Sequence, residues 1–155
     1  MRRKDREITD LARISDILQR CPAASFAFAG DAPYVVPMSF GFEESGGRFT
    51  LYMHCAREGK KLDRLRADPR AAFAAFTGNA VYGEGDVACA YSTSYDSVCG
   101  EGTLRELEGE GKRHGLACIM AHVAPGRTFT FDDAVLAKTC VLAMDVEHIS
   151  GKHHD

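Results

Sequence analysis

The residues with the clearest chemical potential lie in Leu51-Tyr52-Met53-His54-Cys55-Ala56-Arg57-Glu58-Gly59-Lys60-Lys61-Leu62, continuing to Arg70. This stretch reads as a strand that runs into a short basic helix, with a histidine at the junction and a glycine in the first turn. The N–H groups of a helix N-terminus have no partners within the helix and point outward, so they favour an anion. Lys60 and Lys61 would add positive charge there as point donors. A phosphate is the natural ligand, and a phosphorylated small molecule such as a nucleotide cofactor the natural source. His54 stands where it could hand a proton to a substrate near neutral pH. By itself it is equally a strand-end histidine satisfied by backbone. Arg57 and Arg64 are expected in solvent or paired with Asp63 and Asp68. A second group, His114, Cys118 and His122, falls four apart on one helical face. Imidazole and thiolate suit zinc or copper, but no fourth ligand is evident. An amphipathic helix with a buried cysteine explains the spacing better, so no metal is expected.

The elements that would hold these residues can be read from periodicity. Ile8, Leu11, Ile14, Ile17 and Leu18 recur at helical spacing over residues 8–20, with Thr9 or Asp10 as cap and Cys21-Pro22 as the stop. Residues 24–29 and 33–42 read as paired strands about a Gly30-Asp31 turn. Pro37 inside the second argues for an edge, a bulge or an unpaired N–H. Ser45-Gly46-Gly47 turns into a strand at 48–55, and the basic helix follows at 58–67, with Leu62 and Leu65 inward. Residues 71–77 form a strand of small side chains, 78–86 a loop, and 87–91 and 97–108 two further strands. A helix at 109–123, a helical turn near Phe131-Asp132-Asp133 and a strand at 139–149 complete the order. Tight turns join most strands and no strand–helix–strand alternation appears. The chain is therefore expected to be mainly β (α+β), an antiparallel sheet or barrel with peripheral helices.

Composition narrows the function classes. The chain has 155 residues, enough for a single domain with its own core, with 45% hydrophobic and 26% charged residues. A net charge of −3 gives no general attraction to nucleic acid or an anionic membrane. No secretory signal or membrane-spanning run is evident. Six scattered cysteines without a C-x-x-C pair read as reduced thiols in a cytoplasmic protein. Residues 1–7 and 151–155 are expected to be flexible.

Several separated motifs, in order, carry a resemblance. Tyr34-Val35-Val36-Pro37-Met38-Ser39-Phe40-Gly41-Phe42, then Leu51-Tyr52-Met53-His54, then Glu58-Gly59-Lys60-Lys61-Leu62, with Ser97-Val98 and Gly102 further on, resemble the FMN-binding split-barrel family. Within it the chain is most similar to the pyridoxamine 5'-phosphate oxidase-related proteins of the NimA-like, 5-nitroimidazole-resistance group. The resemblance runs from the basic N-terminal segment to Ile149-Ser150-Gly151-Lys152. It implies a six-stranded antiparallel split β-barrel and a homodimer with FMN in clefts at the interface. Val36, Pro37, Met38 and Ser39 would line the flavin ring. His54, Cys55, Glu58, Gly59, Lys60 and Lys61 would surround the phosphate, with Lys61 at the family's position and Ser97 facing the same cleft. His54 would lie beside the flavin as the tentative catalytic residue. Cys55 departs from a family position that is often small and polar, so one hydroxyl ligand is missing.

The activity so implied is that of an FMN-dependent oxidoreductase reducing a small electrophile, such as a nitroaromatic or 5-nitroimidazole. NAD(P)H or a protein would donate electrons transiently, since no G-x-G-x-x-G fingerprint follows a strand. The alternative is a non-catalytic flavin-binding, electron-transfer or redox-sensing protein, with deazaflavin or haem as other ligands in related proteins. Pyridoxamine-phosphate oxidation fits less well, because the arginine-rich C-terminal segment of that enzyme is lacking. Tyr91 and Tyr95 could border the cleft or pack at an interface.

Overall fold

A computed structural model describes residues 3–155. The elements are β1 (Glu7–Ile8), α1 (Leu11–Arg20), β2 (Ala24–Phe28), β3 (Tyr34–Met38), β4 (Gly41–Ser45), β5 (Arg48–Ala56), α2 (Lys60–Ala67), β6 (Arg70–Tyr82), β7 (Ser92–Leu107), α3 (Gly109–Val123), α4 (Asp133–Lys138) and β8 (Thr139–His154). All pairings are antiparallel, in the order β3-β2-β6-β7-β8-β5-β4, with β1 added beside β8. This is the split-barrel-like, mainly β fold expected, although the sheet has eight strands among the described residues and not six.

Two local events change the count. Residues 33–42 do not form one strand. The chain breaks at Ser39-Phe40, and β3 and β4 lie at opposite ends of the sheet order. Phe40 is fully buried at the break. Ile8, expected in the first helix, instead pairs with Gly151 in β1, and α1 begins after it with Asp10 as cap, its carboxylate accepting from Ala12 N–H at 3.2 Å.

Other boundaries also move. The expected loop at 78–86 is partly strand, because β6 resumes pairing with β7 at Ala80 after a register shift beyond Thr77. Residues 88–90, expected in a strand, form a single 3₁₀ turn. The polar C-terminal residues, expected to be flexible, continue β8 to His154, where β7 holds them and β1 adds a second partner at 151 and 152. Backbone pairing fixes them despite their polar side chains. Lys4–Arg6 forms another 3₁₀ turn, and Met1 and Arg2 lie outside the described residues.

The core fills the inside of the barrel with Phe26, Phe49, Leu51, Met53, Val98, Leu142 and Met144. Ile14, Ile17 and Leu18 of α1 and Leu62 and Leu65 of α2 join the same cluster. Each such buried side chain contributes roughly 1.5–3 kcal/mol relative to exposure. A second, smaller cluster lies outside the barrel, where α3 covers β4, β5 and β8 through Ile119, Tyr52, Val141 and Ala143. Helix and sheet approach closely there: a Cβ on Gly41 would stand 2.4 Å from the Cys118 carbonyl. Half of the outer wall is therefore covered by a helix. The other half, on β2, β3 and β6, exposes alternate residues Ser25, Val35, Pro37, Ala72, Ala74 and Phe76.

Candidate functional site

The β5–α2 junction is built for an open helix start. Gly59 sits at the cap of α2 with φ +116° and ψ 171°, a conformation essentially restricted to glycine. No side chain caps the helix, and a Cβ at Gly59 would meet nothing within 4 Å. Lys60 extends over the Tyr34 ring, Nζ 4.6 Å from its centroid, and so ties the start of α2 to the start of β3. Lys61 is half-buried and lies close enough to Cys55 for its charge to favour the thiolate. Burial outweighs that charge, and the Cys55 thiol is pushed up. Glu58 is exposed in the link between strand and helix.

The neighbouring cations are already committed. Arg57 Nη1 donates to the Ala137 carbonyl at 2.9 Å. Arg64 pairs with Asp31 at 2.5 Å, and Asp68 is held by Arg70 at 2.6 Å. Arg57 is exposed, as expected, whereas Arg64 is half-buried and takes Asp31 as its partner, not Asp63 or Asp68. Lys60 and Lys61 have no carboxylate partner among the described residues, and both remain available to an anion.

Behind the junction, Cys55 faces Cys140 directly across the β5–β8 ladder. Cys140 Sγ lies 3.6 Å from Glu106 Oε2, and Glu106 is bound through two contacts, 2.8 and 3.1 Å, by Arg66. Burial, reinforced by Cys55 and Glu106, pushes the Cys140 thiol up to about 12. All six cysteines are free.

The other expected site residues divide by strand alternation. Val36 packs against the core and Met38 belongs to it, so their side chains face into the barrel; only their backbone could meet a ligand outside. Val35, 57% exposed, and Pro37 face outward. Pro37 lies on an edge strand that pairs only with β2, which fits its missing N–H. Ser39 is exposed beyond the far end of β3 from Tyr34, in a cleft with Gln19, Arg20, Pro22 and His122. Ser97 sits in the middle of the sheet between Phe76 and Lys152. His54 is exposed on the outer wall, beside a cleft of about 350 Å³ shared with Leu116, Phe131, Val135, Leu136 and Thr139. The structure thus joins Cys55, Lys60, Lys61 and the start of β3. Within one chain it leaves Ser39 at a distance along β3 and turns His54 to the α3–α4 side. Larger depressions, about 430 and 550 Å³, run along β6 and β7 and share Ala72 and Glu101, on the bare side of the wall.

The histidine row of α3 also separates. His114 and Cys118 meet Glu43, whereas His122 is buried, its ring edge-on to Phe40 at 4.5 Å and its Nε2 3.1 Å from the Cys21 carbonyl. Glu43 belongs to an acidic hairpin and gave no signal in the sequence. A distance of 71 residues separates it from His114. Of the tyrosines, Tyr91 donates to the Gly85 carbonyl at 2.9 Å, and Tyr95 stacks on His154 at 5.5 Å.

Residues 10–153 match the family model described as pyridoxamine 5'-phosphate oxidase. The chain belongs to this pyridoxamine 5'-phosphate oxidase family. Solved structures with the same fold include a candidate 5-nitroimidazole antibiotic resistance protein of Bacteroides thetaiotaomicron, 29% identical over 95% of this chain and 86% of that one, with a TM-score of 0.82. A FAD- and heme-binding protein of Mycobacterium smegmatis is 24% identical over 97% and 74%, at 0.81. The flavocytochrome Anf3 of Azotobacter vinelandii is 18% identical over 100% and 72%, at 0.80. The latter two likenesses concern the fold alone. Comparison with curated proteins gives no match. No helix among the described residues is long and apolar enough to cross a membrane.

Proposed function

We propose that this member of the pyridoxamine 5'-phosphate oxidase family is a cytoplasmic FMN-binding oxidoreductase that reduces a small electrophile, a nitroaromatic such as a 5-nitroimidazole being the leading class. The observation that carries the reading is the uncapped start of α2, with two lysines that have no carboxylate partner among the described residues, one of them lying over Tyr34 of the exposed edge strand β3. Such a terminus suits a phosphate, and the donors fit it: backbone N–H groups in the first turn and ammonium groups at Lys60 and Lys61. The bare wall at Val35, Pro37, Ala72, Ala74 and Phe76 suits a second copy of the chain, and so a homodimer with the cofactor near the seam. The name of the Bacteroides protein supports the substrate class, and the flavin and heme named for the other two support a redox cofactor.

A bound flavin would supply the electron transfer. The chain's own part is to hold the phosphate, to keep one face of the site apolar and, through His54, to offer a proton. NAD(P)H or a protein donor would bring electrons. A second reading, a flavin or haem carrier without turnover, is favoured by the two neighbours named for haem as well as flavin.

The absorption spectrum of the purified protein, followed by titration with FMN, tests the cofactor. Lys61→Ala should weaken FMN binding about tenfold or more if it contacts phosphate, on the scale of a charge-assisted hydrogen bond. Unchanged affinity would refute the assignment. Anaerobic turnover of the reduced protein with a nitroimidazole then separates enzyme from carrier. His54→Ala should lower turnover more than binding, and equal losses would assign it a purely structural role.

A further inference from the structure

We propose that Glu43, His114 and Cys118 form a binding site for a zinc-class divalent cation on the outer wall of the barrel, beneath α3. The three come from two elements that the fold presses together. Glu43 stands on β4; His114 and Cys118 are one turn apart on α3. Glycine at position 41 lets that helix lie against the strand. Their donor atoms all lie within 4.8 Å of one another. His114 Nε2 is 2.9 Å from Glu43 Oε2, and Cys118 Sγ is 3.5 Å from the same Nε2. A tetrahedral zinc ion would place such N and O donors about 3.3 Å apart and N and S donors about 3.6 Å apart. The carboxylate oxygen and the sulfur, within 4.8 Å of each other, would close to about 3.6 Å, a movement of up to about 1.2 Å that side-chain rotation on the half-exposed residues can supply.

The ligands are also supported from behind. Tyr52 O–H donates to Glu43 Oε1, which leaves Oε2 turned toward the cluster. The Tyr52 ring meets the His114 ring edge-on at 5.6 Å and fixes its tilt. Such outer partners hold metal ligands in orientation. His114 and Glu43 are half-exposed, so a water can complete the coordination from solvent. Carboxylate, imidazole and thiolate together select a zinc-class ion over magnesium or calcium. Binding would displace the Cys118 thiol proton to solvent and move the imidazole proton from Nε2 to Nδ1. The site rests on no flavin and is separate from the α2 junction.

Cobalt(II), added to chelator-treated full-length protein, is the probe. One equivalent per chain should produce thiolate-to-cobalt charge transfer and the strong visible bands of tetrahedral cobalt, and Zn²⁺ should displace it. Cys118→Ser should remove the charge-transfer band and His114→Ala the stoichiometric binding. Cys89→Ser should change neither. Tyr52→Phe should keep the stoichiometry and weaken affinity by about 10–100-fold. In the unaltered protein, Zn²⁺ should slow alkylation of Cys118, read by peptide mass, which needs no variant to fold. A cobalt spectrum without the thiolate band, an unchanged one in Cys118→Ser or His114→Ala, or alkylation of Cys118 indifferent to Zn²⁺ would each overturn the proposal.

Discussion

His122 is a buried side chain expected to make stability sensitive to acid. It is buried, its Nε2–H faces the Cys21 carbonyl, and Nδ1 has no partner among the described residues. Burial holds its pKa below the usual 6.5, with the backbone carbonyls only partly opposing. The unfolded chain therefore binds the proton more readily. Stability is complete above the unfolded value of 6.5 and is lost as pH falls from there through the folded value. The melting temperature of the native protein should fall across that window, and His122→Phe, which keeps the aromatic contacts with Phe40 and Phe42, should flatten the profile. An equally steep decline in the variant would assign the acid sensitivity to other groups. This residue also marks how far sequence reading reaches. Its spacing from His114 and Cys118 was visible, as was the amphipathic character of the helix. Which of the three would turn inward depended on where Phe40 and the Cys21 carbonyl lie in space. Lys60 and Lys61 were legible because a local device, a glycine before a basic helix, defines them. Glu43 was not, since its partners come from distant parts of the chain.

At the level of elements, two glycines set the geometry of two candidate sites. Gly41 allows α3 to rest on β4, and Gly41→Ala should drive strand and helix apart at a cost of roughly 1–3 kcal/mol, as for other overpacked contacts. Thermal or denaturant unfolding would measure it. Gly59 matters for its dihedral angles and not for space. Gly59→Ala should cost about 1–3 kcal/mol through backbone strain and should also disturb the start of α2. A variant with unchanged stability would contradict the positive φ. The same elements explain which boundaries the sequence conveyed. Helices with caps and stops, such as α1 after Asp10 and α3 before Pro125, were near to hand. The division of β3 from β4 was not, because the β-forming residues run on through Phe40 to Phe42 while the topology parts them. The distal half of β6 and the tail of β8 were missed for a related reason. Glycine and charge make Gly78–Tyr82 and Gly151–His154 look irregular, and only cross-strand pairing with β7 makes them strands.

For the molecule as a whole, the sheet's bare half is the informative surface. Val35 is 57% exposed and Phe76 63%, on the side of the barrel that no helix covers. If two copies meet there, Phe76→Asp should yield a monomer by sedimentation and reduce FMN retention, while the fold survives because the side chain lies outside the core. A dimer unaffected by the change would move the interface elsewhere. The same surface would be hazardous in a lone chain, for β3 ends the sheet and offers its free backbone to any extended peptide. Pro37, next to the last residue of that strand, removes one backbone donor and stiffens the edge. A proline on an open edge is expected to act as a gatekeeper against fibre growth. Replacing Pro37 with valine should leave the barrel intact yet shorten the lag before the concentrated protein turns amyloid-positive.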